Sequence, residues 1–257
     1  MRGYRAVTIR FSIFFLIYNR QRGVEIRLVS YNTRGSLGMD GVRSTERIVE
    51  TIQSLSPDMV CFQEVHKRLP WSGIEDQPRR LAKLLGYPFT FHQLLNLGFG
   101  GYGIGIASRR QPAQVHRHLL PSRKEQRGLL ELEFSGREVE EVPFHLFCTH
   151  WGLDVEERIR QAHFCVDIVT TKTLPVLFCG DLNAAMDSEE VTILREGCGF
   201  RDAGIALKEP TYPADHPTSR IDYLFCSKDW QMTEFSVVKS LASDHLPVLA
   251  DVSCETI

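Results

Sequence analysis

The run Val176-Leu177-Phe178-Cys179-Gly180-Asp181-Leu182-Asn183 is apolar for four residues and then turns abruptly polar. Unbroken apolarity of this kind predicts a strand buried on both faces, with its last carboxylate at the strand end. Just upstream, Asp154 and Glu157 form a D-x-x-E cap for a helix to about Thr170. Its predicted buried face is Ile159, Ala162, Val166 and Val169. A helix delivering the chain into a doubly buried strand is the unit from which the rest of the fold is read.

Outward from this unit the pattern repeats. Strands are predicted at Glu25–Asn32, Met59–Glu64, Tyr102–Ser108, Leu129–Phe134, Phe144–His150, Ile221–Cys226 and Pro247–Val252. Helices are predicted at Val42–Ser56, stopped by Pro57, at Asp76–Leu85, opened near Pro78 and closed at Gly86, and from Ser188 to near Gly197. Strands interleaved with helices, and a hairpin-like pairing of 102–108 with 129–134, predict an αβ domain with two sheets face to face and helices outside. No internal repeat or low-complexity tract interrupts it.

The chain has 257 residues and a formal net charge of −2. That length fits one domain with a sizeable core. The near-neutral charge disfavours a protein that coats nucleic acid by neutralising many phosphates. Seven cysteines, an odd number without a C-x-x-C pair, predict buried small hydrophobes in a reducing compartment. Near the N-terminus, Arg2, Arg5 and Arg10 precede the apolar stretch Phe11 to Tyr18. This is far shorter than the roughly 20 residues of a membrane-spanning helix, and no small-x-small cleavage site follows it. Residues 1–23 are therefore expected to be an extension to a catalytic domain at 24–257. A cytoplasmic monomer without stable membrane insertion is expected, with secretion or attachment through residues 1–23 as the alternative.

The chemistry is written at the strand ends. Asn32, Gln63-Glu64, Thr149-His150, Asp181-Leu182-Asn183, Arg220-Ile221-Asp222 and Ser243-Asp244-His245 each stand at one. Any one could be an ordinary loop or cap residue, but strand ends on one sheet edge converge. Carboxylates gathered with two histidines repel and titrate upward unless a cation joins them. Oxygen ligands of this kind suit Mg²⁺, or Mn²⁺ in its place. Hydrolysis of a phosphate ester needs these parts: a metal, a base for water, and neutral donors around phosphorus.

In order along the chain, Leu28-Val-Ser-Tyr-Asn32, Val60-Cys-Phe-Gln-Glu64, Thr149-His150, Gly180-Asp-Leu-Asn183, Arg220-Ile-Asp-Tyr223 and Ser243-Asp-His-Leu-Pro247 resemble the motif set of the endonuclease/exonuclease/phosphatase superfamily. The resemblance implies a DNase I-like α+β fold, a four-layer α/β/β/α sandwich. It implies a metal site of Glu64, Asn32 and Asp244. It implies catalytic roles for His150, Asp181, Asn183, Asp222 and His245, with either Asp181 or the His245–Asp222 pair as the base and one metal or two. Arg127 and Asn96 are candidate substrate contacts, and the run Gly98-Phe-Gly-Gly-Tyr-Gly103 is either a substrate-edge loop or a tight connection. Asp40 reads as a helix cap, and His66, His92, His116, His118 and His216 read as loop histidines. Abasic-site nucleases of the superfamily usually carry Trp-Asn and basic insertions, whereas this chain has Tyr31-Asn32 and none. The expected function is Mg²⁺-dependent hydrolysis of a small-molecule or lipid-headgroup phosphoester. The alternatives are a nuclease acting on DNA or RNA and, more remotely, a non-catalytic phosphate-binding protein.

Overall fold

The computed structural model describes residues 23–136 and 142–255; the expectations for residues 1–22 lie outside them. Twelve strands are described: β1 (Gly23–Asn32), β2 (Met59–Lys67), β3 (Phe89–Asn96), β4 (Gly101–Ser108), β5 (Gln114–Leu119), β6 (Gly128–Phe134), β7 (Phe144–His150), β8 (Val176–Asp181), β9 (Arg201–Asp202), β10 (Asp222–Cys226), β11 (Gln231–Val237) and β12 (Val248–Glu255). They form two mixed six-stranded sheets, ordered β11-β12-β1-β2-β4-β3 and β5-β6-β7-β8-β10-β9. Helices α1 (Thr45–Leu55) and α2 (Gln77–Leu85) cover the first sheet, while α3 (Val155–Val169) and α4 (Glu189–Gly197) cover the second. The result is the expected four-layer DNase I-like sandwich.

Strand periodicity assigns the core residues of the central strands to layers. Ile26 and Leu28 of β1, Met59 and Cys61 of β2, Leu146 and Cys148 of β7, Leu177 and Cys179 of β8, and Leu224 and Cys226 of β10 meet between the sheets. Their alternates Val29, Tyr31, Val60 and Phe62 pack beneath α1 and α2, and Phe147, Phe178, Tyr223 and Phe225 beneath α3 and α4. Both faces of the central strands are therefore apolar, which explains their unbroken hydrophobic runs.

The helix ends follow their capping residues. Asp154 accepts from Glu157 N–H at 3.0 Å and Asp76 from Arg79 N–H at 3.3 Å. The first helix begins at Thr45 rather than Val42 because Ser44, not Asp40, accepts from Arg47 N–H. Asp40 instead takes Val42 N–H and the Arg47 guanidinium. Helix α3 is rotated from the expected face: Glu157, Arg158, Gln161, Ala162, Cys165 and Val169 are buried, while Ile159 and Val166 are half-buried. Polar side chains turn inward because they bond locally, Gln161 accepting Gly152 N–H and Arg158 pairing with Glu190.

Segments 102–108 and 129–134 do not pair. Strand β4 pairs with β2 and β3, and β6 with β5 and β7; Ile104, Ile106, Leu130 and Leu132 share the inter-sheet core instead. The missing partners are β3 and β5, which the sequence reading passed over together with β9 and β11. The outer strands β5 and β11 expose much of their length, so polar side chains break the apolar signal there.

Candidate active site

Register places the polar strand ends side by side. In the second sheet His150 pairs with Asp181 across β7 and β8, and Asp181 with Asp222 across β8 and β10. All three share parity with the inward-facing Cys148, Cys179 and Leu224, so they extend the inner face of the sheet past its apolar part. In the first sheet Asn32 shares parity with Ile26 and Leu28 and reaches the same inter-sheet mouth.

Glu64 needs a different device. Strict alternation would turn it outward with Val60 and Phe62. The β2–β4 register steps between Phe62 and Val65, so Gln63 and Glu64 together face one residue of β4. Glu64 takes the left-handed conformation, φ 54°, and Val65 resumes the outer face. A β-bulge that re-aims one side chain is a recurrent feature beside active sites, and here it brings the carboxylate to Asn32.

Asp181 Oδ2 is the hub. Asn32 Nδ2 donates to it at 2.9 Å, His150 Nε2 lies 3.4 Å away and His245 Nε2 3.6 Å away. Asp181 Oδ1 accepts Asn183 N–H at 2.9 Å. Asn32 Nδ2 also reaches Glu64 Oε1 at 3.1 Å, while its Oδ1 accepts Arg34 N–H at 3.1 Å, which fixes the amide's orientation. Of the residues expected at the metal, Asn32 thus presents a donor to two carboxylates. Asp244 lines the same groove and pairs with Arg34 Nε at 3.3 Å.

The two histidines are in opposite electrostatic settings. His245 Nδ1 donates to Asp222 Oδ2 at 2.9 Å, and Thr211 Oγ1 donates to the same oxygen at 2.6 Å. Burial works against charge on His245, but Asp222 and Asp181 outweigh it and raise its pKa. His150 is pushed down by burial and by the nearby Arg127 and His245 charges, so it is neutral. Arg127 Nη1 lies 3.0 Å from His150 Nδ1 and can only donate. On the other side of the ring, Nε2 faces Asp181 Oδ2 at 3.4 Å. Asn183 Nδ2 lies 3.1 Å from that nitrogen and donates to Trp151 O at 3.0 Å.

Arg127 is buried within the site, held by Glu125 at 3.1 Å and Tyr102 OH at 3.2 Å. Asn96 is not in it: exposed at the end of β3, it accepts Gly98 N–H and shapes a turn. The glycine run is a tight connection into β4, where a Cβ on Gly103 would collide with the His92 carbonyl. Among the five supposed loop histidines only His216 is in a loop; His66 lies on β2, His92 on β3, and His116 and His118 on β5. His66 lines the groove. Tyr102, whose OH is 3.1 Å from His150 Nδ1, and Thr211 were missed. Tyr102 was hidden inside the glycine run, and Thr211 has no sequence signal.

Arg220, part of a quoted motif, turns away to a buried bidentate pair with Asp202 at 2.8 and 2.5 Å. It anchors the start of β10 beside Asp222. The groove has a volume of about 600 Å³ and is lined by Glu64, His150, Asp181, Asn183, Asp244 and His245 among others.

The acidic surplus fits a hard cation. Burial and the Asp244 charge raise Glu64 against the opposing bond from Asn32, and burial raises Asp181. Both shifts mark negative charge that a divalent ion would relieve. Among the described residues, Asp181, Asp222 and His245 bring metal-competent atoms within 4.8 Å of one another. His245 and Asp222 already occupy each other, however, so that group is better suited to handling a proton. Glu64 and Asp244, with Asp181 adjoining, remain as oxygen donors.

Residues 29–245 match the model of the Endonuclease/Exonuclease/phosphatase family. Among solved structures, the fold is similar to an endonuclease/exonuclease/phosphatase from Beutenbergia cavernae, at 24% identity and TM-score 0.77 over 90% of this chain and 72% of that one. It is similar to a family protein of Bacteroides thetaiotaomicron at 18% identity and TM-score 0.78, over 91% and 99% of the chains. A mannosyl-6-phosphatase of the same organism aligns at 19% identity and TM-score 0.75, over 88% and 99%. Comparison with curated proteins finds no match. No helix among the described residues is long and apolar enough to cross a membrane.

Proposed function

The chain belongs to the Endonuclease/Exonuclease/phosphatase family and is a phosphoester hydrolase, and on that premise we propose that it is a Mg²⁺-dependent enzyme acting on small-molecule phosphoesters. The observation that carries this reading is the meeting of Glu64, Asp181, His150 and His245 in one groove of small-ligand size. Glu64 and Asp244, with Asp181 adjoining, would hold Mg²⁺ (Mn²⁺ as a substitute), which would polarise the phosphoryl oxygen and steady the leaving oxygen; Asn32, its oxygen taken by Arg34 N–H, steadies the carboxylates instead. The attacking water loses its proton to the Asp181–His245 pair, whose facing atoms are 3.6 Å apart. Asp222 keeps His245 oriented through Nδ1. Neutral His150 presents Nε2–H to the phosphoryl group or the leaving oxygen, and Asn183 adds an amide donor. Arg127 fixes the His150 ring and contributes positive charge near the phosphate.

The catalytic unit is proposed to span residues 24–257, as a cytoplasmic monomer. The formal charge of −2 and the absence of a basic stripe along the groove's lining support a small substrate over a nucleic acid. One structural neighbour is named for a sugar phosphate, which supports the same class. The test assays purified protein with Mg²⁺ against p-nitrophenyl phosphate, bis-p-nitrophenyl phosphate, sugar phosphates, sphingomyelin and plasmid DNA. Cleavage of small esters with intact plasmid is expected. Plasmid nicking without small-ester cleavage overturns the substrate class, and inactivity on all of them overturns the reaction.

A further inference from the structure

The floor of the groove handles a phosphate, but its lip is of another kind. Three lining residues from three separate loops are large, apolar and exposed: Trp71 at 57%, Leu153 at 76% and Tyr212 at 37%. Isolated exposed apolar residues need no explanation, but three around one polar cleft form a patch with a use.

The two aromatic rings stand on rigid backbone. Trp71 lies in a turn in which Ser72 N–H and Ile74 N–H both bond to Leu69 O at 3.0 Å, with Leu69 itself buried. Tyr212 exchanges backbone bonds with Ser219 at 3.0 and 2.9 Å, and its ring centroid lies 4.9 Å from that of His245. Rings held this way offer apolar area to a ligand at small entropic cost.

The charges lining the groove limit what the lip can receive. Arg127 is the one arginine or lysine there, and Glu64, Glu125, Asp181 and Asp244 face it. Within the groove a second phosphate would find only Arg127, already paired with Glu125 at 3.1 Å, while Arg123 and Lys124 line an adjoining pocket. A flat, uncharged ring suits a lip of aromatic side chains, and the Glu125 carboxylate, 43% exposed beside Arg127, can accept from ribose hydroxyls or an exocyclic amine.

Resting on the phosphoesterase reading above, we propose that the substrate is a mononucleotide-type ester, its phosphate at His150, Asp181 and His245 and its base held by Trp71 and Tyr212 at the lip. Trp71 and Tyr212 are specificity residues in this assignment; they touch no bond that breaks. Base–aromatic stacking of ordinary strength corresponds to roughly a 5- to 150-fold change in affinity.

Fluorescence can read the contact without turnover. Of the chain's three tryptophans, Trp151 and Trp230 are fully buried, so Trp71 alone meets solvent. The Mg²⁺-loaded protein is titrated with the phosphonate analogue of AMP, in which CH₂ replaces the bridging oxygen, and with glycerol phosphonate as the ringless control. Quenching by the nucleotide analogue alone is expected, and its loss in Trp71→Ala. In parallel, kcat and KM are measured for AMP and glycerol 3-phosphate. Trp71→Ala should raise KM for AMP about tenfold more than for glycerol 3-phosphate, with Trp71→Phe intermediate.

Absent quenching together with an equal KM effect on both esters overturns the stacking site, while turnover of glycerol 3-phosphate still upholds the phosphoesterase. Tighter binding of a single-stranded oligonucleotide than of AMP overturns the mononucleotide class. Selective quenching without hydrolysis of either ester upholds the stacking site and overturns the catalytic reading.

Discussion

Asn32 Nδ2 lies 2.9 Å from Asp181 Oδ2, joining the end of β1 in one sheet to the end of β8 in the other. Both residues are buried. Because Arg34 N–H occupies the amide oxygen, the neutral donor is aimed permanently at the carboxylates. The sandwich is closed at its active mouth by this bond, and the neutral amide bridges Glu64 and Asp181 without adding to their negative charge.

Asn32→Asp keeps the shape and removes the donor. It should lower kcat about a hundredfold or more, as loss of a preorganised donor does. The unmade bonds should cost about 1–3 kcal/mol of stability in urea denaturation. Wild-type kcat in the variant would contradict the clamp.

Asp222→Asn leaves His245 in place but without a carboxylate behind it. A kcat loss of about 10²–10⁴ is expected, with KM changed by no more than about twofold, since the pair acts on proton movement rather than on binding. Steady-state kinetics on the best small ester checks the split.

Much of this site was legible because strand parity is a simple code. His150, Asp181 and Asp222 stand at the ends of apolar runs, and register alone makes them neighbours. Glu64 could be named but not aimed: alternation sends it the wrong way, and the bulge that corrects it depends on β4, forty residues on. Tyr102 and Thr211 were invisible because their roles come from tertiary contact with His150 and Asp222. Asn96 misled because a turn asparagine looks like a substrate contact. The outer strands β5 and β11 were lost because solvent exposure erases the hydrophobic pattern.

Glu131 is fully buried and contacts His118 at 2.9 Å, His145 at 3.0 Å and Lys172 at 2.6 Å. Burial pushes its carboxyl up, but the bonds from His118, His145 and Lys172 outweigh it and hold it well below the usual range. With the folded pKa below an unfolded value of about 4.3, the stabilisation is fully present above that pH and is lost progressively as pH falls from there through the folded pKa. Glu131→Gln should therefore cost about 2 kcal/mol at pH 7 and less at pH 3. Urea titrations at both pH values test this, and an equal cost at each would contradict it.

Asp202→Ala should be the more damaging structural change. It strands the Arg220 guanidinium, which is buried over the Tyr223 ring at 4.7 Å. A loss of about 3–5 kcal/mol is expected. Adding Arg220→Met should restore part of it, because no charge is then left unpaired. A double variant no more stable than the single one would argue against the pair as the cause.

The most direct test of the central claim is the Mg²⁺ dependence of small-ester hydrolysis in wild type and Glu64→Gln, measured side by side after chelation and metal add-back. Convergence on a shared cation predicts activity that vanishes on chelation, returns with Mg²⁺, and is at least ~100-fold lower in the variant at every metal concentration. Hydrolysis that persists after chelation, or proceeds equally in Glu64→Gln, would contradict it.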